Sequence, residues 1–440
     1  MRSGIQKSLG SGSFFFALLT AVLLFSFCIL PFAFAHHNSG AVSTATREGR
    51  IAVFDDAWQR VSERYYDPHF QGVDWEAQRA IFRPLAANAR GSQEFYAVLR
   101  RMLALLKDAH TRVYAPEERF DWQHPRFVSI GISLREVEGR PTVIGVDRDS
   151  EAQRAGLRPG DIIRTIDGRP ASSVFDSRLR EQIGSSTPQA SRLRAVASLA
   201  EGPPETNVEI GWKGPSDKDN TASLKRRWHQ RSFTLQISQR PGHVLVVIFD
   251  AFTPGIARDF GRALRADLSH ARGIVIDLRN NGGGDAEAMA EIASAFLPAT
   301  RLGRFTDRFG STVLTLDTSA RSFLALDQST PSRIPIFILT SERTSSAAEI
   351  FAAALKDAHR GTIIGTETCG CVLAIRTRHN LPDGGELDVS ELDYRTANDE
   401  RLEGRGIAPD ETVVVRRRDL YSRHDRALEL AMRKIAIGNP

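Results

Sequence analysis

The sequence predicts a multi-domain α/β protein. Its 440 residues, 41% hydrophobic and 25% charged, are enough chain for two or three packed domains, which excludes a fibrous or mostly disordered protein. In the first half, helical periodicity gives way to short β-rich runs; in the second, strand and helix patterns alternate, as in a layered α/β core.

Taken in order, Arg2 and Lys7 precede an apolar run from Phe14 to Ala35 that ends in Ala33-Phe34-Ala35, the small-x-small pattern of a cleavage site. Residues 1–35 are therefore expected to be a cleaved export signal. With roughly 20 apolar residues the run can also span a bilayer, so an uncleaved inner-membrane anchor is the alternative. Either way the remainder is expected to be exported, periplasmic or secreted, and to meet a membrane only if the segment stays attached.

Ile51, Val53, Phe54, Trp58, Val61 and Tyr65 recur at helical spacing, as do Phe82 and Leu85, then Phe95, Val98, Leu99, Met102 and Leu105. They predict a helical domain over 45–120. Val128 to Leu134, Thr142 to Val146 and Asp161 to Ile166 read as strands punctuated by Gly156 to Asp161 and Asp167-Gly168, a small β-domain over 127–237. Within it, Lys213 to Lys225 is polar and expected to hold an exposed loop. From 240 to 440 the pattern is Val244 to Phe249, helix 255–271, Ile274 to Leu278, helix 285–297, Ile334 to Leu339, helix 347–358 and Thr362 to Gly365. An amphipathic helix from Arg423 to Ile437 closes the chain.

The formal charge of +5 is spread along the sequence with no dense basic tract, so nucleic-acid binding is not expected. Lysines are few (Lys7, Lys107, Lys213, Lys218, Lys225, Lys356 and Lys434), and arginine holds its proton too tightly to serve as a base. Outside the export segment, which contains Cys28, the only cysteines are Cys369 and Cys371, too few for a disulfide framework. The pair is expected to pack, with oxidation and soft-metal binding as alternatives. It has too few companion ligands for a metal site, and no glycine cluster continues into a nucleotide or dinucleotide fingerprint, so no metal or cofactor is expected. Nothing points to an oligomeric state.

Three places can carry chemistry. Ser346 opens a helical run after a strand and a polar loop; with Glu349 it forms S-x-x-E, which serves as a capping box or presents a nucleophile to the positive end of a helix. Asp277 to Gly284 ends a strand in three glycines, more than a turn requires, and such a loop can offer N–H groups to an oxyanion. A serine needs a base, and His110, where the helical segment ends, is the candidate among eleven histidines. Glu403, in a glycine-rich turn, can orient an imidazole. The plainer alternatives are a polar helix terminus for His110 and a solvated loop carboxylate for Glu403.

In this order the motifs resemble the C-terminal processing, or tail-specific, serine peptidases, a family that includes the tricorn core and the interphotoreceptor retinoid-binding proteins. The matching pieces are Leu106 to Thr111, Gly156 to Asp161, Asp277 to Gly284, Thr344 to Glu349, Gly365 to Cys371 and Glu403 to Asp410. The resemblance implies a crotonase-like α/β core, an inserted PDZ-like domain that gathers substrate tails, and a nucleophile at Ser346. Familiar bacterial members supply a lysine in G-x-x-T-x-G-K; this chain has Cys371 there. The tricorn-like branch uses serine, histidine and glutamate, which fall on Ser346, His110 and Glu403, although its serine before the histidine is here Ala109. By this resemblance Gly282, Gly283 and Ala347 would hold the oxyanion, and Ile130-Gly131-Ile132 would bind polypeptide C-termini by strand addition. The competing reading is a non-catalytic peptide- or hydrophobic-ligand-binding protein that kept the fold.

Overall fold

A computed structural model describes residues 42–118, 126–181, 185–230, 232–267, 271–319 and 334–438. The segment read as an export signal lies outside them. Among the described residues no helix is long and apolar enough to cross a membrane.

The helices Arg47–Arg64, Trp75–Ala87 and Ser92–Leu103 form where the periodicity places them. Thr46 and Asp74 accept from Gly49 N–H and Ala77 N–H and so start the first two. Their apolar faces bury Phe54, Val61, Phe95, Leu99 and Met102 in one cluster with Leu373, Leu381, Leu387 and Val389, from far along the chain. Strand Arg112–Tyr114 pairs antiparallel with Glu386–Asp388, which also pairs Arg378–Asn380. The chain around His110 is thereby sewn onto the second half of the molecule.

The middle segment is built on a sheet in the order Ile132–Val137, Arg140–Val146, Ile162–Ile166, Asn207–Lys213, Asp219–Lys225, so that Ile132–Val137 is an edge. Two findings differ from the sequence pattern. The run Val128 to Leu134 is broken into Arg126–Ser129 and Ile132–Val137 by Gly131 at φ +87°, where a Cβ would lie 2.1 Å from the Ser150 Cβ. Lys213 to Lys225 holds its expected exposed loop at 214–218, but 219–225 is also the second arm of a hairpin, with Lys213 opposite Asp219; its polar residues alternate outward along a half-solvated strand. Helices Ala171–Glu181 and Pro188–Ala197 complete this segment.

The second half forms a six-stranded sheet, ordered Leu235–Arg240, Val244–Phe249, Gly273–Asp277, Ile336–Thr340, Thr362–Gly365, Glu411–Thr412. The first pair is antiparallel and the rest parallel, with Val247, Ile276, Ile338 and Ile363 in register across the middle. Both faces are covered, which is why these strands read as continuous apolar runs. Helices Pro254–Asp267, Ala286–Ser294 and Ala347–Asp357 pack on the face of Val247, Ile276 and Ile338. Helix Arg426–Ala436 covers Val246, Val275 and Phe337 with Ala427, Ala431 and Ile435. Crossovers in such a sheet bring loops together at the carboxyl ends of the strands, and the candidate site lies there.

Candidate active site

Ser346 follows strand Ile336–Thr340 through a turn tied down by short polar side chains. Thr344 Oγ1 donates to the Leu278 carbonyl at 2.8 Å and Ser341 Oγ to the Arg279 carbonyl at 2.6 Å, so the turn is fastened to the neighbouring strand end. Ser346 sits at φ +56°, ψ −126°, a backbone region that costs a non-glycine residue about 1–3 kcal/mol. Its N–H donates to the Cys371 carbonyl at 2.9 Å and to Glu349 Oε2 at 3.2 Å. Only this half of the expected capping box forms. The N–H groups of Ala348 and Glu349 bond the backbone carbonyls of Ser345 and Ser346, and the Ser346 hydroxyl makes no capping bond.

The glycine loop packs directly on this serine. A Cβ on Gly283 would lie 2.6 Å from the Ser346 Cβ and 3.0 Å from the Ala347 nitrogen, and one on Gly284 would meet the Phe252 carbonyl at 2.3 Å. Gly282 has room for a side chain, so close approach accounts for two of the three glycines. Asn281, fully buried, organises the loop: Nδ2 donates to the Phe249 carbonyl at 3.1 Å, Oδ1 accepts from Gly283 N–H at 2.9 Å, and its carbonyl accepts from Ser345 N–H at 3.1 Å. Gly282 N–H donates to the Asp250 carbonyl at 3.3 Å. The N–H groups of Gly282 and Gly283 are thus engaged within the loop, whereas Ala347 N–H, in the first turn of its helix, makes no bond to another backbone carbonyl.

Glu349 is the hub of the site and was legible in the sequence only as a cap. The carboxylate is fully buried; Oε1 accepts from Thr368 Oγ1 at 2.5 Å and Gly370 N–H at 2.8 Å, Oε2 from Cys371 N–H at 2.9 Å and from Ser346. Burial pushes its pKa up to about 7 against the pull of these donors.

Cys369 and Cys371, expected to pack as thiols, form a disulfide. The glycine between them, at φ +69°, lets the chain double back so that the two sulfurs meet. The bridge also packs, against Ala109 and Ala190. Lys356 is engaged away from Ser346, donating to the Ala408 carbonyl at 2.8 Å and pairing with Asp410 at 2.9 Å, and Arg376 is exposed.

His110 lies in a loop fixed by neighbours that no sequence motif marks. Burial pushes its pKa down to about 4; Asp108 opposes the shift, and Arg112 and Arg194 add to it. The imidazole is therefore neutral at pH 7, as a base must be. Its Nδ1 is buried and has no hydrogen-bond partner among the described residues.

Glu403 is also buried. Oε2 accepts from Val372 N–H at 2.6 Å and Leu373 N–H at 3.2 Å, while Oε1 is buried with no geometric hydrogen bond among the described residues. Burial raises its pKa to about 7; the nearby Ser186 hydroxyl and the two N–H groups pull it down, and the charge on Asp108 pushes it up. Among the described residues Ser346, His110 and Glu403 make no side-chain hydrogen bond to one another. What joins them is the stretch 369–373, which takes the Ser346 N–H, donates to Glu403, and packs its disulfide against the residue before His110.

Ile130 and Ile132 line a groove of about 520 Å³ that runs from the edge strand to Asp250, Asn280 and Arg343, beside the glycine loop and the Ser346 turn. Gly131 N–H is held by Ser129 Oγ at 2.8 Å.

Residues 243–413 match the model of peptidase family S41, residues 48–104 the tricorn protease C1 domain, and residues 128–191 the PDZ domain. The carboxyl-terminal-processing protease of Synechocystis sp. is 27% identical over 388 residues, which cover 86% of this chain and 83% of that protein. The chloroplastic C-terminal processing peptidase of Tetradesmus obliquus is 28% identical over 383 residues, covering 81% of this chain and 76% of its own. Among solved structures, the photosystem II D1 C-terminal processing protease superposes with a TM-score of 0.55 at 25% identity, covering 83% of this chain and 93% of its own. Mature CPAF complexed with lactacystin superposes with a TM-score of 0.65 at 12% identity, covering 89% of this chain and 98% of its own, a likeness of fold. With an S41 peptidase core over 243–413, a tricorn C1 segment and a PDZ domain, the chain is a serine-type peptidase similar to the C-terminal processing proteases.

Proposed function

We propose that this is an exported serine endopeptidase acting through an acyl-enzyme, with Ser346 as nucleophile, His110 as its base and Glu403 orienting and stabilising the imidazolium. The observation that carries the reading is Ser346 itself: a strained residue at a helix N-terminus whose hydroxyl is not spent on capping, pressed against Gly283. Strain of this kind accumulates where geometry serves chemistry. His110 takes the hydroxyl proton, the alkoxide attacks a peptide carbonyl, and the unengaged Ala347 N–H holds the tetrahedral oxyanion. The imidazolium then protonates the leaving amine, and water hydrolyses the ester by the reverse sequence. Nδ1 of His110 and Oε1 of Glu403, neither with a hydrogen-bond partner among the described residues, serve in this mechanism as donor and acceptor to each other once substrate binds.

Substrates are polypeptides. Their C-terminal tails are proposed to add to the open edge of Ile132–Val137 in the groove lined by Ile130 and Ile132, with the Ile130-Gly131-Ile132 turn at the carboxylate. The apolar N-terminal segment is the reason to place the mature protein outside the cytoplasm, in the periplasm or secreted.

The test is labelling of the folded mature protein with a serine-directed fluorophosphonate, mapped by peptide analysis, beside Ser346→Ala and His110→Ala. Modification at Ser346 that is lost in both variants is expected. No label on folded wild type overturns the enzyme reading in favour of a peptide-binding protein.

A further inference from the structure

Asp108 is 2% exposed and saturated with donors: Oδ1 accepts from His110 N–H at 2.6 Å, Thr111 N–H at 2.9 Å and Ser390 Oγ at 2.8 Å, and Oδ2 accepts from Thr111 Oγ1 at 2.5 Å. The first two bonds form an Asx-type turn, closed by the residue two positions before the histidine. The backbone just before His110 is clamped through its other groups as well. Ala109 N–H donates to Ser186 Oγ at 3.3 Å, and the Ala109 carbonyl accepts from Arg112 Nε at 2.7 Å and Arg194 Nη2 at 3.4 Å. Ser390 N–H donates to Thr111 Oγ1 at 3.0 Å, so the turn is also pinned to the chain that follows strand Glu386–Asp388.

The charged groups acting on His110 are Asp108 on its own loop, Arg112 at the start of the following strand, and Arg194 on helix Pro188–Ala197. Two cations disfavour a protonated imidazole, and Asp108 is the anion acting on the ring in the resting structure. The same charge acts on Glu403.

We propose that Asp108 is a positioning residue for the peptidase reaction, holding the His110 backbone through its turn while its charge offsets Arg112 and Arg194 when the imidazole takes the serine proton. The inference rests on His110 being the base. Asp108→Asn keeps an oxygen for the two N–H groups and removes the charge. It is expected to fold and to slow fluorophosphonate labelling of Ser346 by ~10–100-fold. It is also expected to move the acid limb of labelling rate against pH down by ~1 unit, because both His110 and Glu403 lose a neighbouring anion. Ser390→Ala removes a donor that offsets the carboxylate and leaves the charge, so its acid limb moves up.

Slower labelling with an unmoved acid limb in Asp108→Asn, or a wild-type rate, overturns the proposal. If that variant does not fold, Ser390→Ala decides: an unshifted limb overturns it. His110→Ala in the same assay separates the two ideas. Retained labelling there defeats the base assignment; lost labelling there, with wild-type behaviour in Asp108→Asn, defeats only the role of Asp108.

Discussion

The Ser346 N–H and the Glu349 carboxylate are joined at 3.2 Å, and that carboxylate takes its three other hydrogen bonds from Thr368, Gly370 and Cys371. The serine is therefore held by a buried carboxyl group from its own helix, and the same group shapes the loop 368–371. A residue at positive φ needs such over-determination to stay in place.

Glu349→Gln tests this. A glutamine has one acceptor oxygen and an amide donor, so two of the four donors face an N–H or lose their partner, and each buried donor left unpaired costs about 1–3 kcal/mol. The expected outcome is a loss of about 2–5 kcal/mol in chemical denaturation, with Ser346 labelling reduced more than a hundredfold in the protein that remains folded. Unchanged labelling would show that Ser346 keeps its conformation without the carboxyl group.

Gly283→Ala probes the close approach of the glycine loop. The new methyl must occupy space 2.6 Å from the Ser346 Cβ at a backbone φ of +94°, so the loop or the serine has to move. Stability should fall by about 1–3 kcal/mol and labelling by at least 10²-fold. Gly282→Ala, with only Ser345 Oγ at 4.0 Å from the added Cβ, is the control and should retain most of the labelling. Equal behaviour of the two variants would defeat the assignment of Gly283 to the site wall.

Reduction of the Cys369–Cys371 bridge by a dithiol, two electrons and two protons per bridge, should separate stability from activity. The ring it closes is tiny, so the chain-entropy contribution is only about 1–2 kcal/mol. The Cys371 carbonyl, however, holds the Ser346 N–H, and the two cysteines share a buried cluster with Ala109, next to His110. Slower labelling with a small change in thermal midpoint is expected, followed by thiol titration. Full activity with both thiols free would reduce the bridge to packing.

The parallel core was legible because strands buried on both faces write themselves as apolar runs, and Ser346, the glycine loop and Glu403 could be found as motifs at strand and helix ends. The hub could not. Glu349 satisfies the same pattern whether it caps a helix or gathers Thr368, Gly370 and Cys371 from about twenty residues away. Asp108 stands two residues before His110 in plain view, but its partner Ser390 is 282 positions distant and no local pattern names it. Polarity alone does not distinguish a loop from a hairpin arm with one wet face, which is why the exposed loop at 214–218 is legible in the sequence and the strand 219–225 that follows it is not. A count of two cysteines argues against a disulfide framework; it says nothing of a single bridge closed by a turn with a glycine at positive φ.

The pH dependence should carry the signature of Glu403. Its folded pKa of about 7 lies above the unfolded reference of 4.5, so the folded state binds the proton more tightly. That contribution to stability is fully present below pH 4.5 and is lost as pH rises through 7, about 3 kcal/mol in all. Activity is expected to run the other way: in the proposed mechanism Glu403 ionises to orient the imidazole, whereas His110, at about 4, is already neutral across this range. Wild-type labelling should therefore rise through about pH 7 while stability declines. In Glu403→Gln the stability advantage of wild type over the variant should shrink between pH 5 and pH 8 by ~3 kcal/mol. The plateau rate should drop by ~10²–10⁴-fold. Its acid limb should move from near 7 toward the His110 value of about 4. A limb that stays near 7 after the carboxylate is removed would assign that titration to another group, Glu349 being the buried carboxylate with the same folded value.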